Sequence, residues 1–541
     1  MKLLLVESPI KARTIKKFLK GYFVIATYGH FLDLPQREFG IYLKDNQLEA
    51  KYVPLKGKKK IIEKIKKLAK NSEEILIASD PDREGEMIAY EIKMILPQKE
   101  HKKIKRISVH EITQKAFLEA LKNKSEILES LVNAQKGRRY LDRIFGYKIS
   151  PLLWSFGKAL SAGRVQSAAL RIIIEREKEI RDFKKEEFFE VYLILENFSA
   201  SRQTGHLKAV LVDKNLQTLK LKKEDLEKVK KDILKIEKVK LETIIDEKKK
   251  IFPPLPLDTE NLQRLAYRFL KFPPKKTMFL AQKLFEMGLI TYHRTQSHFI
   301  NKDFSLKLKK FIEENYGKKY FSFPRSKKEK FSFEAHEAIR PTKVEKPDIY
   351  NDFLKLWQLI LMITIASHLK PLEYLESKFV FKSNDFYFLA TNKELIFDGF
   401  AKVFPVKEKF TPKPKVKKGA EFSILDKEFK KVETKPPARF TEASLIRKLK
   451  ELGIGRPSTY VQTIETLKKR RYIILEKKYL KPTELGEKVY EYLSKNFPDL
   501  IDLKFTALME ENLDKIAQDL LDYQEFVINF LKEVEKKIKQ N

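Results

Sequence analysis

Four apolar, β-rich runs, KLLLVES, FVIATYG, EEILIASD and IKRISVHE, recur through the first part of the chain, with Lys-rich helical stretches between them. Strands alternating with helices pack as a parallel sheet, so this pattern predicts an α/β domain over residues 1–120. The first and third strands run out at acids. Glu7 closes the first, Asp80 closes the third, and Asp82 and Glu84 follow where the next helix begins. In a parallel α/β sheet ligands bind at the carboxyl ends of the strands, so these side chains can converge although far apart in sequence. Several carboxylates on one edge repel unless a cation sits among them, which makes the set Glu7, Asp80, Asp82 and Glu84 a candidate Mg²⁺ site. A lone D-x-D is better read as a helix N-cap. Here Glu84, Gly85 and the separate Glu7, with Lys11 just beyond it, favour chemistry.

Residues 121–182 read as helical and strongly basic, with a break at Gly163 before VQSAALRIIIEREKEI. Segments 183–250 and 378–436 read as β-rich, and residues 251–377 between them as helical, so one β domain is interrupted by an inserted helical one. Residues 437–541 return to helix. The Pro-rich stretches FPPLPLD, FTPKPKVKKG and TKPPARF mark joints at these borders. Two stretches, one beginning DTENLQRL and the other TEASLIRK, each read as helix, turn, helix and short β-hairpin, a winged helix-turn-helix pattern.

A chain of 541 residues has room for about three or four domains. Its 111 Lys and Arg against 75 Asp and Glu give a net charge of +36, which calls for a polyanionic partner bound by phosphate neutralisation. The charge-rich composition resembles that of a thermophile, but that habit adds Lys and Glu together and leaves the one-signed excess unexplained. The absence of Cys excludes disulfides and thiolate-bound zinc or iron, leaving carboxylate sites for a hard cation. No stretch reaches the roughly 18 apolar residues of a membrane span, and the N-terminal run is broken too early for a signal peptide, so a cytoplasmic location is expected.

GLITYHRTQS places Tyr292 and Arg294 on alternate residues of an extended segment, so both side chains leave one face and can meet one phosphate. A tyrosine hydroxyl is a weak nucleophile that needs a neighbouring cation, and Arg294 is placed to supply it. GRRYLDRIFGY sets Arg138, Arg139, Asp142, Arg143 and Tyr147 on successive helical turns, a mixture of cations, an orienting acid and a stacking aromatic. LSAGRVQS offers Gly163 for close backbone approach, with Arg164 and Gln166 as donors, and AHEAIRPT adds His336 and Arg340 a helical turn apart. Taken singly, each fits a packed tyrosine, a solvated charged helix or an ordinary loop.

In this order, VESPIKA, TYGHFLDLP, ASDPDREGE, VHEIT, RRYLDR, SAGRVQS, GLITYHRT, AHEAIRPT, ARFTEASL, GIGRPSTY and FTALME resemble the type IA DNA topoisomerases across nearly the whole chain. GIGRPSTY and SAGRVQS are similar to the topoisomerase I branch rather than the topoisomerase III branch. The resemblance implies a toroidal four-domain fold: a Toprim domain, a β-rich arch interrupted by the domain bearing the tyrosine, and a helical DNA-binding domain in two segments. It implies that Tyr292 forms a 5′-phosphotyrosine, that Glu7 and Lys11 move protons at the 3′-oxygen, and that Arg294 holds the scissile phosphate. Asp80, Asp82 and Glu84, with Glu7 nearby, would bind Mg²⁺, needed chiefly for resealing. DNA contacts are implied for His30, Arg138, Arg139, Asp142, Tyr147, Trp154, Arg294 and Arg456, and for the loop of Ser161, Ala162, Gly163, Arg164, Val165 and Gln166. Arg139, Arg143 and Tyr147 match a pocket that reads a cytosine upstream of the cut. Gln296 stands where the family commonly has Asp and Leu32 where it commonly has Arg, and the chain has none of the zinc ribbons of larger members.

The expected activity is ATP-independent, Mg²⁺-dependent relaxation of negatively supercoiled DNA by a nucleoid-associated monomer acting on single-stranded segments; no GxxxxGK[ST] loop is present. The competing readings are a topoisomerase III-like decatenase and a non-catalytic, single-strand-binding or nuclease-like Toprim protein. A fragment of a reverse gyrase would need helicase motifs, which the sequence lacks.

Overall fold

The computed structural model describes residues 1–157, 160–196, 206–325 and 337–540. The first four apolar runs form β1 (Lys2–Val6), β2 (Tyr22–Ala26), β3 (Glu74–Ile77) and β4 (Ile104–Arg106). They lie in the order β2-β1-β3-β4 with every neighbour parallel. Leu3 to Val6 are all buried, because helices cover both faces of the sheet and leave no solvent side for a polar alternation. The helix Lys59–Lys70 shows how: Ile62, Ile65 and Ala69 share one buried stripe and its lysines take the other side. The helix Pro9–Lys16 starts directly after β1, opened by Pro9 and capped by the Ser8 side chain, which accepts from the Lys11 N–H. That abrupt start keeps Glu7 and Lys11 at the sheet edge.

The β-rich segments close into one barrel of β5 (Glu187–Leu195), β6 (Leu207–Val212), β7 (Lys238–Ile251), β8 (Leu372–Ser383), β9 (Phe386–Phe397) and β10 (Glu421–Glu433). The strand order is β6-β9-β8-β7-β10-β5, antiparallel throughout. Val191, Leu193, Phe379, Phe381 and Phe388 fill its interior, with Leu226 and Ile233 of the helix Lys223–Lys235 packed among them. β8 starts at Leu372, inside the range 251–377 read as helical, because Leu372 pairs with Ile251 and its alternate residues are buried. The border therefore moves toward the N-terminus.

The inserted unit holds the helices Thr259–Leu270, Pro274–Glu286, Lys302–Asn315 and Asn351–Ser367. The basic helices Glu129–Ile149 and Arg164–Arg181 join five helices from beyond residue 440 around one core, in which Leu141, Phe145 and Leu170 meet Leu449, Leu513 and Phe530. The second winged-helix pattern is present, its hairpin formed by Ile473–Glu476 and Tyr479–Pro482. The first is not. Directly after Pro274–Glu286 the described residues make isolated bridges, Ile290 to Pro341 and Leu257 to Ile339, so the backbone partners there are distant rather than a local return strand. Leu4, Val6 and Ile15 of the α/β domain pack with Leu284, Phe285 and Tyr292 of the inserted unit in a single apolar cluster, which seats the tyrosine against the acidic edge. Among the described residues no helix is long and apolar enough to cross a membrane.

Candidate active site

At the carboxyl end of β1 and β3, the Asp80 N–H donates to Glu7 Oε1 at 2.7 Å and Lys11 Nζ donates to Asp80 Oδ1 at 3.0 Å. Lys11 is buried, an unusual setting for an ammonium that this carboxylate explains. Asp82 caps the helix Arg83–Ile95, accepting the Gly85 N–H at 2.8 Å. The capping role and a chemical role thus coexist in one side chain. Gly85 is required by contact: a Cβ there would lie 2.0 Å from the Asp80 carbonyl oxygen. Gly85→Ala is therefore expected to displace Asp80 and destabilise the chain by about 1–3 kcal/mol. Urea unfolding of the two chains checks this, and equal stability would show that the edge can yield.

Tyr292 reaches this edge from the inserted unit. Its backbone N–H donates to His110 O at 2.8 Å, and the Thr291 N–H to Arg340 O at 2.9 Å, which holds the segment extended. The Tyr292 hydroxyl donates to Asp82 Oδ2 at 2.5 Å, and Arg294 Nη1 lies 2.6 Å from Glu84 Oε2 and 3.8 Å from Asp82 Oδ2. The two side chains do leave one face, and both meet the acidic set. Only 2% of Tyr292 is exposed in this closed arrangement, in which the inserted unit covers its hydroxyl against the sheet.

Burial, then the Asp82 carboxylate, pushes the Tyr292 hydroxyl well above its ordinary pKa, while Arg294 pulls it back. Burial and the charge of Asp80 push Glu7 up to about 8 against the pull of Lys11. Burial also raises Asp82, helped by Glu84 and opposed by Arg294. Burial acts the same way on Asp80, but the Lys11 ammonium outweighs it and holds that carboxyl low. Burial and then the Arg294 charge push the His293 imidazole down to about 3, so it stands neutral beside the tyrosine.

The expected convergence of four carboxylates on a metal takes a different form. Among the described residues no three or more His, Asp or Glu side chains are arranged as a metal cage. Asp80 holds Lys11, Asp82 holds the Gly85 N–H and Tyr292, and Glu84 holds Arg294, because in this closed arrangement the protein's own cations and donors answer the acids. The donor set still fits Mg²⁺. It is all carboxylate oxygen, and Mg²⁺ keeps several waters and takes only one or two protein carboxylates beside phosphate. Burial is the main cause that raises Glu7 and Asp82, and the neighbouring carboxylates Asp80 and Glu84 add to it, a repulsion that a divalent ion among them would relieve.

The candidate DNA contacts divide into groups. Arg139 grips Asp33 through two bonds of 2.9 and 2.8 Å, Arg143 donates to Pro35 O at 2.8 Å, and Tyr147 donates to Gln36 O at 2.7 Å, so these three gather on residues 33–36. Arg143 is itself buried and lies 4.8 Å from the Tyr147 ring centroid. His30, bonded to Glu91, and Arg139 line a cavity of about 310 Å³. Arg138 and Asp142 are half-buried on the same helix, and Trp154 is largely exposed, its indole N–H on Leu160 O. In the loop, the Ser161 N–H and carbonyl both bond the Tyr472 hydroxyl, Gln166 donates to Ser161 O, Gly163 is half-buried, and Ala162 and Val165 are buried. Arg456 donates to Asp514 Oδ2 at 2.5 Å.

Two readings need correction. Arg164 is no surface donor: its guanidinium is wholly buried against Glu510 at 2.7 Å and Asp142 at 3.7 Å, because the helix it opens turns that side chain into the helical core. Arg340 is also buried, paired with Glu337 and, at 3.0 Å, with Glu111 of the α/β domain, on a segment that is not helical. It ties the inserted unit to the sheet. His336 lies outside the described residues. Sequence reasoning passed over Glu91, Glu510 and Asp514. Glu91 left a local signal, seven residues after Glu84 on one helix, and Glu510 stands at the end of FTALME, whereas Asp514 left none.

A tyrosine hydroxyl, an arginine and an acidic strand edge brought together from two domains are groups that suit an enzyme acting on a phosphodiester. A Toprim domain profile matches residues 2–112 and a DNA topoisomerase profile residues 126–528. DNA topoisomerase 1 of Aquifex aeolicus is 40% identical over 549 aligned residues, spanning 99% of this chain and 98% of its own. DNA topoisomerase 1 of Campylobacter jejuni is 40% identical over 558, spanning 99% of this chain and 79% of its own. The structure of full-length topoisomerase I from Thermotoga maritima superposes with a TM-score of 0.88 at 37% identity, covering 99% of this chain and 90% of that one. The chain belongs to the type IA DNA topoisomerases, in the bacterial topoisomerase I branch.

Proposed function

We propose that this chain relaxes negatively supercoiled DNA without ATP, cutting a single-stranded segment through Tyr292, passing a strand and resealing the cut. The observation that carries the reading is the Tyr292 hydroxyl held 2.5 Å from Asp82 beside Arg294 at the acidic sheet edge. Once a strand replaces the contacts of the closed state, the tyrosine oxygen attacks phosphorus and the bond from phosphorus to the 3′-oxygen breaks. The hydroxyl proton passes to the Asp82 carboxylate, and the departing 3′-oxygen takes a proton from Glu7, whose carboxyl Lys11 and Asp80 keep in place. Arg294, released from Glu84, holds the phosphoryl oxygens. The new phosphotyrosine keeps the energy of the broken ester, so the reverse steps reseal the strand without a nucleotide.

Asp80, Asp82 and Glu84 would hold Mg²⁺, which when bound supplies positive charge for the phosphate and aligns the 3′-hydroxyl for resealing. Chelation with EDTA is expected to stop plasmid relaxation while covalent adducts on single-stranded oligonucleotides remain detectable on denaturing gels. Relaxation at full rate in EDTA would remove the metal from the reading. Supercoils should also relax faster than linked circles separate, and the opposite order would make the chain a decatenase.

A further inference from the structure

β2 ends at Ala26, and residues 27–32 then carry the chain away from the acidic edge. The start of this loop is tied to the edge: the Thr27 N–H donates to Val6 O at 2.8 Å and the Gly29 N–H to Glu7 O at 3.2 Å. Its end is tied from beneath by the buried Glu91, which bonds the His30 ring and accepts the N–H groups of Phe31 and Leu32 at 2.9 and 3.1 Å. Between these anchors stands Tyr28. The residue is 61% exposed, yet its backbone has φ +60°, a left-handed conformation that bulky residues rarely adopt. Nothing gained by burying the ring offsets that strain.

Beside it, Lys58 Nζ donates to Tyr28 O at 2.5 Å and Thr27 O at 3.5 Å, and lies 5.9 Å from the Tyr28 ring centroid. Both acceptors are neutral carbonyls, so they orient the ammonium without cancelling its charge. An exposed aromatic face next to an oriented cation is the chemistry that takes an unpaired base and its phosphate. We propose that Tyr28 is a stacking platform for one base of the DNA strand lying along the acidic edge, with Lys58 on an adjacent phosphate and Glu91 holding the loop in register. The proposal rests on the reading of that edge as the cleavage site.

The test uses the full chain and a fluorescein-labelled, mixed-sequence, single-stranded oligonucleotide, with affinity read by anisotropy across a salt series and stability by thermal melting. Asn tolerates left-handed backbone, so Tyr28→Asn removes the ring and keeps the loop. It is expected to weaken binding about 10-fold, in line with the loss of one stacked base, at an unchanged or higher Tm. Tyr28→Trp keeps the parent affinity, and Lys58→Gln reduces the slope of log affinity against log salt by about 0.7, one phosphate contact. Parent affinity in Tyr28→Asn overturns the proposal, as does a fall of affinity and Tm together in both the Asn and Trp variants, which would make the loop merely structural. If the parent itself fails to bind the oligonucleotide, the reading of the edge falls along with this proposal; the other failures leave that reading standing.

Discussion

A Tyr292→Phe chain should bind single-stranded DNA like the parent, form no covalent adduct and relax no plasmid. The ring is retained, and with it the edge-on packing against Phe285 at 5.2 Å between centroids, so the segment keeps its place. What is lost is the one oxygen aimed at the acidic edge and its hydrogen bond to Asp82. Asp82 still accepts the Gly85 N–H, so the cost to stability stays at about 1–2 kcal/mol. Removal of a nucleophile lowers turnover by roughly 10⁴ to 10⁶-fold, below the floor of a gel assay. An adduct that survives in this variant would transfer the role to another of the chain's tyrosines. Cleavage without any adduct would make the acidic edge a nuclease acting alone.

The second large effect lies away from the chemistry. Arg164→Met should destabilise the chain by about 3–5 kcal/mol, because it leaves the Glu510 carboxylate buried without its main partner. Burial pushes Glu510 up, but Arg164 first, then Arg138 and Arg456, outweigh it and bring the carboxyl down to about 2 from an ordinary 4.5. A folded pKa below the unfolded one gives stability that is full above about 4.5 and is lost as pH falls through about 2. The advantage of the parent over Arg164→Met should therefore shrink by roughly 2 kcal/mol between pH 7 and pH 3 in urea unfolding. The double variant Arg164→Met with Glu510→Leu should recover most of the loss at pH 7, since no lone charge remains inside. A gap independent of pH, or a double variant no better than the single, would show that the pair acts through packing alone.

Both effects fall at contacts between units distant in sequence, where a linear reading is weakest. Within a unit it did well. KLLLVES and EEILIASD declare strands that run out just before Glu7 and Asp80, and GRRYLDRIFGY declares a helix that lines up Arg139, Arg143 and Tyr147. These signals are local, since period and strand ends depend on neighbours in the chain. The hairpin expected around Tyr292 failed for the matching reason: the backbone partners of Tyr292 and Thr291 are His110 and Arg340, far beyond any local return.

The sequence by itself determined which chemical groups are present and which secondary elements carry them: an acidic strand edge, a tyrosine two residues from an arginine, a basic helix and no thiol. Only the tertiary structure decided their partners and their exposure to water. It set Tyr292 on Asp82 across 210 positions, turned Arg164 inward to Glu510, engaged Arg340 with Glu111, and closed one barrel from two separated segments. The physical reason is that charge and hydrogen-bonding capacity belong to the residue, whereas desolvation and pairing belong to the packed whole.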